Sequence, residues 1–298
     1  MAILRCIARR PAASAFRAAA SAASTRQAPS FARSLYTVPS LDRHDLLVEN
    51  GVPGLFSQRG FSVAFTKYQQ HIVDELNAST VGTPLEGQDI KSLVIELARD
   101  PTKAYVFNLA SMAFNNHFFF RGINTNPDVQ SAPSSDLAVQ IKKDFNSIDT
   151  LRETFIATAE SMFGPGFVWL VQTNDVTFGG LRILPTYIAG SPLSGAHYRR
   201  QSHDLNTHNA DSYQKLNSVG TFGSAAMQPA RPRKPLGGTD VVPLLCVNTW
   251  EHAWLHDYGV KGKSAYLRAW WEKIDWDLVR QNVTINPDKG RQNQFAYS

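Results

Sequence analysis

Val241 to Trp276, VVPLLCVNTWEHAWLHDYGVKGKSAYLRAWWEKIDW, constrains the fold more than any other stretch, because a branched apolar run leads straight into an aromatic helical segment carrying the densest polar chemistry of the chain. Val241, Val242, Leu244, Leu245, Cys246 and Val247 follow the turn signal Leu236-Gly237-Gly238 and predict a short buried strand. Trp250 to Tyr258 is helical in composition. That places Asn248 at the strand end and sets His252 and His256 one turn apart on a shared helix face. The histidine pair has Glu251 and Asp257 as neighbours, but two helical ligands without a matching third are a weak metal signal.

A chain of 298 residues, 43% of them hydrophobic, buries a sizeable core in one or two domains. No run approaches the ~18 apolar residues of a membrane span, which predicts a soluble protein. Residues 1–36 stand apart: they carry Arg5, Arg9, Arg10, Arg17, Arg26 and Arg33 among many Ala and Ser, with no acidic residue. This is the composition of a mitochondrial transit peptide, cleaved close to Arg33; a retained basic arm is the alternative. Six of the 30 basic residues lie in this segment and all 25 acidic ones lie beyond it, so the mature chain keeps 24 bases against 25 acids, a net charge of −1. Cys6 leaves with the leader, and Cys246 reads as a small core residue, so no intramolecular disulfide remains, as suits the reducing matrix.

Residues 37–57 predict an irregular lead-in. Helices are expected over Gln58–Asn77, Leu85–Arg99, Lys103–Phe120, Asp136–Asn146 and Ile148–Met162. Strands are expected from the turn at Phe163-Gly164-Pro165-Gly166 through Val171, and over Leu181–Tyr187 and Val241–Val247.

Asn248-Thr249-Trp250-Glu251-His252-Ala253-Trp254 resembles the C-terminal signature of the iron/manganese superoxide dismutases, Asp-x-Trp-Glu-His-Ala-Tyr-Tyr. Their Tyr-Leu and Trp-x-x-Ile-Asn-Trp elements are matched by Tyr266-Leu267 and Trp271-Glu272-Lys273-Ile274-Asp275-Trp276. Phe163-Gly164-Pro165-Gly166-Phe167-Val168-Trp169-Leu170 is similar to the family's Phe-Gly-Ser-Gly-Trp-x-Trp-Leu, and Ile188–Leu193 to the turn before its last strand. The resemblance runs from Leu55 to Gln281 with one interruption. It implies an α+β fold: an N-terminal helical hairpin domain over 37–130, then a C-terminal domain over 131–281 with a small three-stranded antiparallel sheet and closing helices, and a tail over 282–298.

The family holds a redox metal with three histidines and an aspartate. Aligned without a gap from Val73-Asp74-Glu75-Leu76-Asn77 and from Phe107-Asn108, the resemblance puts Ala64, Asn116, Asn248 and His252 at those positions. The channel histidine and tyrosine become Tyr68 and Ile72, and Met112 stands where some members carry a glutamine that bonds the metal-bound solvent. His117 falls one residue late, about 100° round the helix, and reaches the pocket only if a bulge re-aims it. His71 reads as a surface residue. One ligand of four remains, so the expectation is no metal, no cofactor and no catalysis. Glu251 and His252 are intact, and in the family this pair reaches across a dimer interface, which implies a preserved pairing surface.

The interruption, residues 194–237, carries Arg199, Arg200, Lys215, Arg231, Arg233 and Lys234 against Asp204 and Asp211, with aromatic residues interleaved. Such a segment suits RNA phosphate and stacked bases or a protein neighbour; a solvated loop is the plain alternative. The departures are those of the dismutase-like proteins of the fungal mitochondrial ribosomal small subunit. The resemblance therefore implies a non-enzymatic structural protein of the matrix ribosome, paired with a second dismutase-like ribosomal protein and touching other small-subunit proteins. Small-subunit rRNA is a further expected partner, through the insert or the tail, and the net charge of −1 favours protein contacts over extensive RNA burial. The competing readings are a divergent matrix superoxide dismutase using His252, His117 and a third ligand, and a free-standing dismutase-like scaffold.

Overall fold

The computed structural model describes residues 35–98, 100–126, 131–173, 180–193, 196 and 241–283. Most of the expected leader, nearly all of the insert and nearly all of the tail lie outside these residues. Tyr36, the last residue assigned to the leader, is held in the fold: its N–H donates to Asn77 Oδ1 at 2.8 Å and its hydroxyl to the Leu85 carbonyl at 2.6 Å.

The expected irregular lead-in contains a short helix, α1 (His44–Asn50), followed by a bridge between Val52 and Phe56. Its one buried residue, Leu47, leaves no periodicity for a sequence reading to detect. The first long helix is broken into α2 (Gln58–Phe61), a π-helical turn (Ser62–Lys67) and α3 (Tyr68–Thr80). Ser57 caps α2 by accepting from the Gly60 N–H at 3.0 Å. The next helix, α4 (Ile90–Leu97), is shorter than expected because residues 81–89 are spent in turns and Asp89 caps it through the Ser92 N–H. α5 (Ala104–Arg121) enters through a 3₁₀ turn at Pro101–Lys103. It is buried on almost every side, from Val106 to Phe120, as a helix at the centre of a domain must be.

Beyond it come α6 (Ser135–Phe145) and α7 (Ile148–Ser161), separated by Asn146 at φ 67° and the Ser147 cap. The sheet consists of β1 (Gly166–Thr173), β2 (Leu181–Tyr187) and β3 (Val241–Asn248), in the order β2-β1-β3 with both pairings antiparallel. Central β1 is buried along its whole length, which is why Phe167-Val168-Trp169-Leu170-Val171 is continuously apolar rather than alternating. Pro243 sits on the edge strand β3 beside a register irregularity, where a missing N–H is tolerated.

Three helices close the chain: α8 (Glu251–Tyr258), α9 (Lys263–Trp271) and α10 (Trp276–Asn282). Trp270 of α9 stacks on Phe155 of α7 at 5.3 Å between ring centroids. The end of α5 is tied to the α9–α10 turn by Asn124 N–H to the Lys273 carbonyl at 2.7 Å and Asp275 N–H to the Gly122 carbonyl at 3.0 Å. Both halves of the chain thus contribute to one connected core. The expected domain boundary near residue 130 falls on residues 127–130, outside the described residues. No helix among the described residues is long and apolar enough to cross a membrane.

Candidate functional site

Three of the four positions expected to correspond to metal ligands meet at the centre of the fold. Ala64 comes from the π turn, Asn116 from α5 and Asn248 from the last residue of β3; all three are fully buried. Asn248 Nδ2 donates to Asn116 Oδ1 at 3.1 Å. Asn116 Nδ2 donates in turn to Gln69 Oε1 at 2.9 Å and to the Ala64 carbonyl at 3.3 Å. Gln69 Nε2 reaches the Ala113 carbonyl at 2.9 Å. At the other end Asn248 Oδ1 accepts from the Trp250 N–H at 2.8 Å, which fixes the start of α8, and the Asn248 carbonyl accepts from the Tyr266 hydroxyl at 2.8 Å.

His252 joins the group through an aromatic contact. Its imidazole stacks on Tyr68 of α3, 3.9 Å between centroids and 24° between planes, and lies 5.6 Å from the Trp250 ring. Burial lowers its pKa to about 4 and pushes Tyr68 up to about 12, so both are neutral at physiological pH. Tyr266 is likewise raised well above its ordinary value, first by burial. His252 Nε2 and Trp250 Nε1 are buried with no hydrogen-bond partner among the described residues. Gln69 was not anticipated. Its signal is a long polar side chain at helical spacing with Ile72, Val73 and Leu76, on the buried face of α3.

The donor set does not fit iron or manganese. Ala64 has no ligating atom, and the amides of Asn116 and Asn248 are consumed by each other, by Gln69 and by the backbone. The metal alternatives do no better. His256 is exposed, and the Asp257 carboxylate accepts from Ser57 N–H at 2.8 Å and Ser57 Oγ at 2.5 Å. α5 is regular through His117, so no bulge turns that ring inward; its pKa is lowered by burial and then by Arg121. Among the described residues no group of three or more His, Cys, Asp or Glu side chains is placed to hold a metal ion.

Glu251 is exposed at the first turn of α8, His71 is exposed on α3, and Ile72 and Met112 are core residues. Cys246 is buried in β3, its thiol raised well above its ordinary pKa by burial. Arg199, Arg200, Lys215, Arg231, Arg233 and Lys234 all lie outside the described residues.

Comparison with known proteins adds the relatives. Residues 133–200 and 209–282 match the family of iron/manganese superoxide dismutases, C-terminal domain. The chain is 29% identical to the small ribosomal subunit protein mS43 of Schizosaccharomyces pombe over 255 residues, 84% of each chain. It is 30% identical to the small ribosomal subunit protein mS42 of the same organism, covering 63% of this chain and 70% of the relative. The iron superoxide dismutase of Escherichia coli is 26% identical over 219 residues, 74% of this chain and 85% of the enzyme. The motifs, the sheet and the matched residues agree: the chain belongs to the iron/manganese superoxide dismutase family.

Proposed function

We propose that this chain is a structural component of the mitochondrial small ribosomal subunit, a dismutase fold without dismutase chemistry. The observation that carries this reading is the replacement of a coordination sphere by hydrogen-bonded amides at the centre of the fold. The relatives agree, since two that bear small-ribosomal-subunit names match over long stretches. A redox metal needs donors that this centre does not have, and a rigid, charge-free core is what a scaffold subunit needs instead.

Its place is the mitochondrial matrix. The basic leader is the address, and the engagement of Tyr36 with Asn77 and Leu85 supports cleavage upstream of that residue. The partner is a second dismutase-like ribosomal protein, paired through the α8 face that carries Glu251 and His252. Support comes from the survival of both residues beside three replaced ligand positions, and from the exposure of Glu251 at the first turn of α8. The insert over 194–237, with its excess of Lys and Arg, and the tail over 282–298 contact neighbouring proteins and, at a few phosphates, small-subunit rRNA.

Gradient sedimentation of a mitochondrial lysate at moderate salt tests the reading. The protein travels with the small-subunit rRNA; migration as a free dimer, with the rRNA elsewhere in the gradient, overturns it.

A further inference from the structure

Gln69, Asn116 and Asn248 form a head-to-tail chain of amides whose direction is set by the backbone at both ends. Trp250 N–H is a donor and meets an oxygen, Asn248 Oδ1; the Ala113 carbonyl is an acceptor and meets a nitrogen, Gln69 Nε2. Between these ends each amide turns its oxygen toward Trp250 and its nitrogen toward Ala113. Rotating any one of them sets two donors or two acceptors face to face. None of the three is more than 1% exposed, so solvent does not relieve a mismatch.

We propose that this directional relay has taken over the metal's task of fastening α3, α5 and β3 together, and that it makes its three positions interdependent. With asparagine at 116, the side chain at 248 must both accept and donate. A carboxylate only accepts. The aspartate found at this place in the dismutases is therefore excluded here, and restoring it alone damages the protein. Asn248→Asp keeps the bond from Trp250 N–H but turns an anionic oxygen toward Asn116 Oδ1. Rotating Asn116 to donate sets its oxygen against Gln69 Oε1 and the Ala64 carbonyl, and rotating Gln69 as well moves only the first of these clashes, to the Ala113 carbonyl. Only a proton on the carboxyl repairs the chain, because the acid O–H donates where the amide N–H did. The inference rests on this geometry and is independent of the ribosomal assignment.

Urea unfolding of the full chain tests it, with wild type, Asn248→Asp and the uncharged Asn248→Leu compared at about pH 7.5 and about pH 5. The wild type at each pH subtracts the titration of His252, Tyr68, Tyr266 and Cys246. The expected result is a loss of at least about 30-fold in the folding equilibrium constant of Asn248→Asp at the higher pH, recovering by about tenfold or more at the lower, since one unit of pKa displacement is a factor of ten. Asn248→Leu is impaired to the same extent at both. If Asn248→Asp is unfolded at the higher pH, refolding on acidification carries the same meaning. Equal losses of Asn248→Asp at both pH values, wild-type stability at the higher pH, failure to fold at either, or rescue by added manganese or ferrous iron would each overturn the relay.

Discussion

Of the four positions expected to correspond to metal ligands, only His252 carries a histidine, and its surroundings make it an apolar ring rather than a base. Stacked on Tyr68 and half-buried, it is neutral in the folded state down to about pH 4, whereas the unfolded chain protonates a histidine near 6.5. The unfolded state therefore binds the extra proton first as pH falls. Stability is complete above about pH 6.5 and declines between there and pH 4, by up to about 3 kcal/mol. In the isolated chain, His252→Phe is expected to flatten that acid limb in urea titrations; an unchanged limb would show that the proton goes elsewhere. Ile188 makes a second local prediction. It holds φ 54°, a left-handed conformation costly for a β-branched residue, just after β2 and 59% exposed. Ile188→Asn should raise stability by about 0.5–1 kcal/mol, read as an upward shift of the urea midpoint. That Ala64, Asn116 and Asn248 meet was legible because each sits in a recognisable motif. Gln69 was not: it lies at helical spacing with Ile72, Val73 and Leu76 on the buried face of α3, but a polar residue on such a face carries no mark of the partners, Asn116 and the Ala113 carbonyl, that it meets.

The helix α2 depends on a residue nearly two hundred positions away. Asp257 on α8 accepts from both the N–H and the hydroxyl of Ser57, while Ser57 Oγ caps Gly60. A Cβ at Gly60 would strike the Asp257 carboxylate, so the glycine is required by its neighbour and not by its φ angle. Asp257→Ala should cost about 1 kcal/mol through the two lost hydrogen bonds from Ser57. Gly60→Ala should cost more in the wild-type background than in Asp257→Ala, with a coupling of about 1 kcal/mol or more in the double-mutant cycle. Additive effects would mean that the two helices are not locked in this way. None of this was visible in the sequence, where Asp257 read as a spare metal ligand. Local pattern did reveal the centres of the helices and strands. It overran α4, where turn bonds at Thr83 and Glu86 compete with helix, and it missed α1, which is too short to show a period.

Taken whole, the molecule is an aromatic core with a polar relay at its centre. Phe56, Phe61, Phe65, Phe119 and Phe120 interlock between the N-terminal helices and α5, and Phe155, Trp270, Trp271 and Trp276 do the same under the closing helices. Trp270→Ala removes a fully buried ring and is expected to cost about 3–5 kcal/mol, measured by chemical denaturation. The α+β architecture was legible because the family signatures sit on the elements that build it: the Gly-rich turn into β1, the strand-to-helix junction at Asn248, and the Trp-rich end. The central claim is that this fold persists without the metal named for its superoxide dismutase relatives, and elemental analysis of the native protein recovered from the small-subunit fraction tests it most directly. The account predicts iron and manganese far below one atom per chain; about one atom of either per chain, held by protein nitrogen, would contradict it.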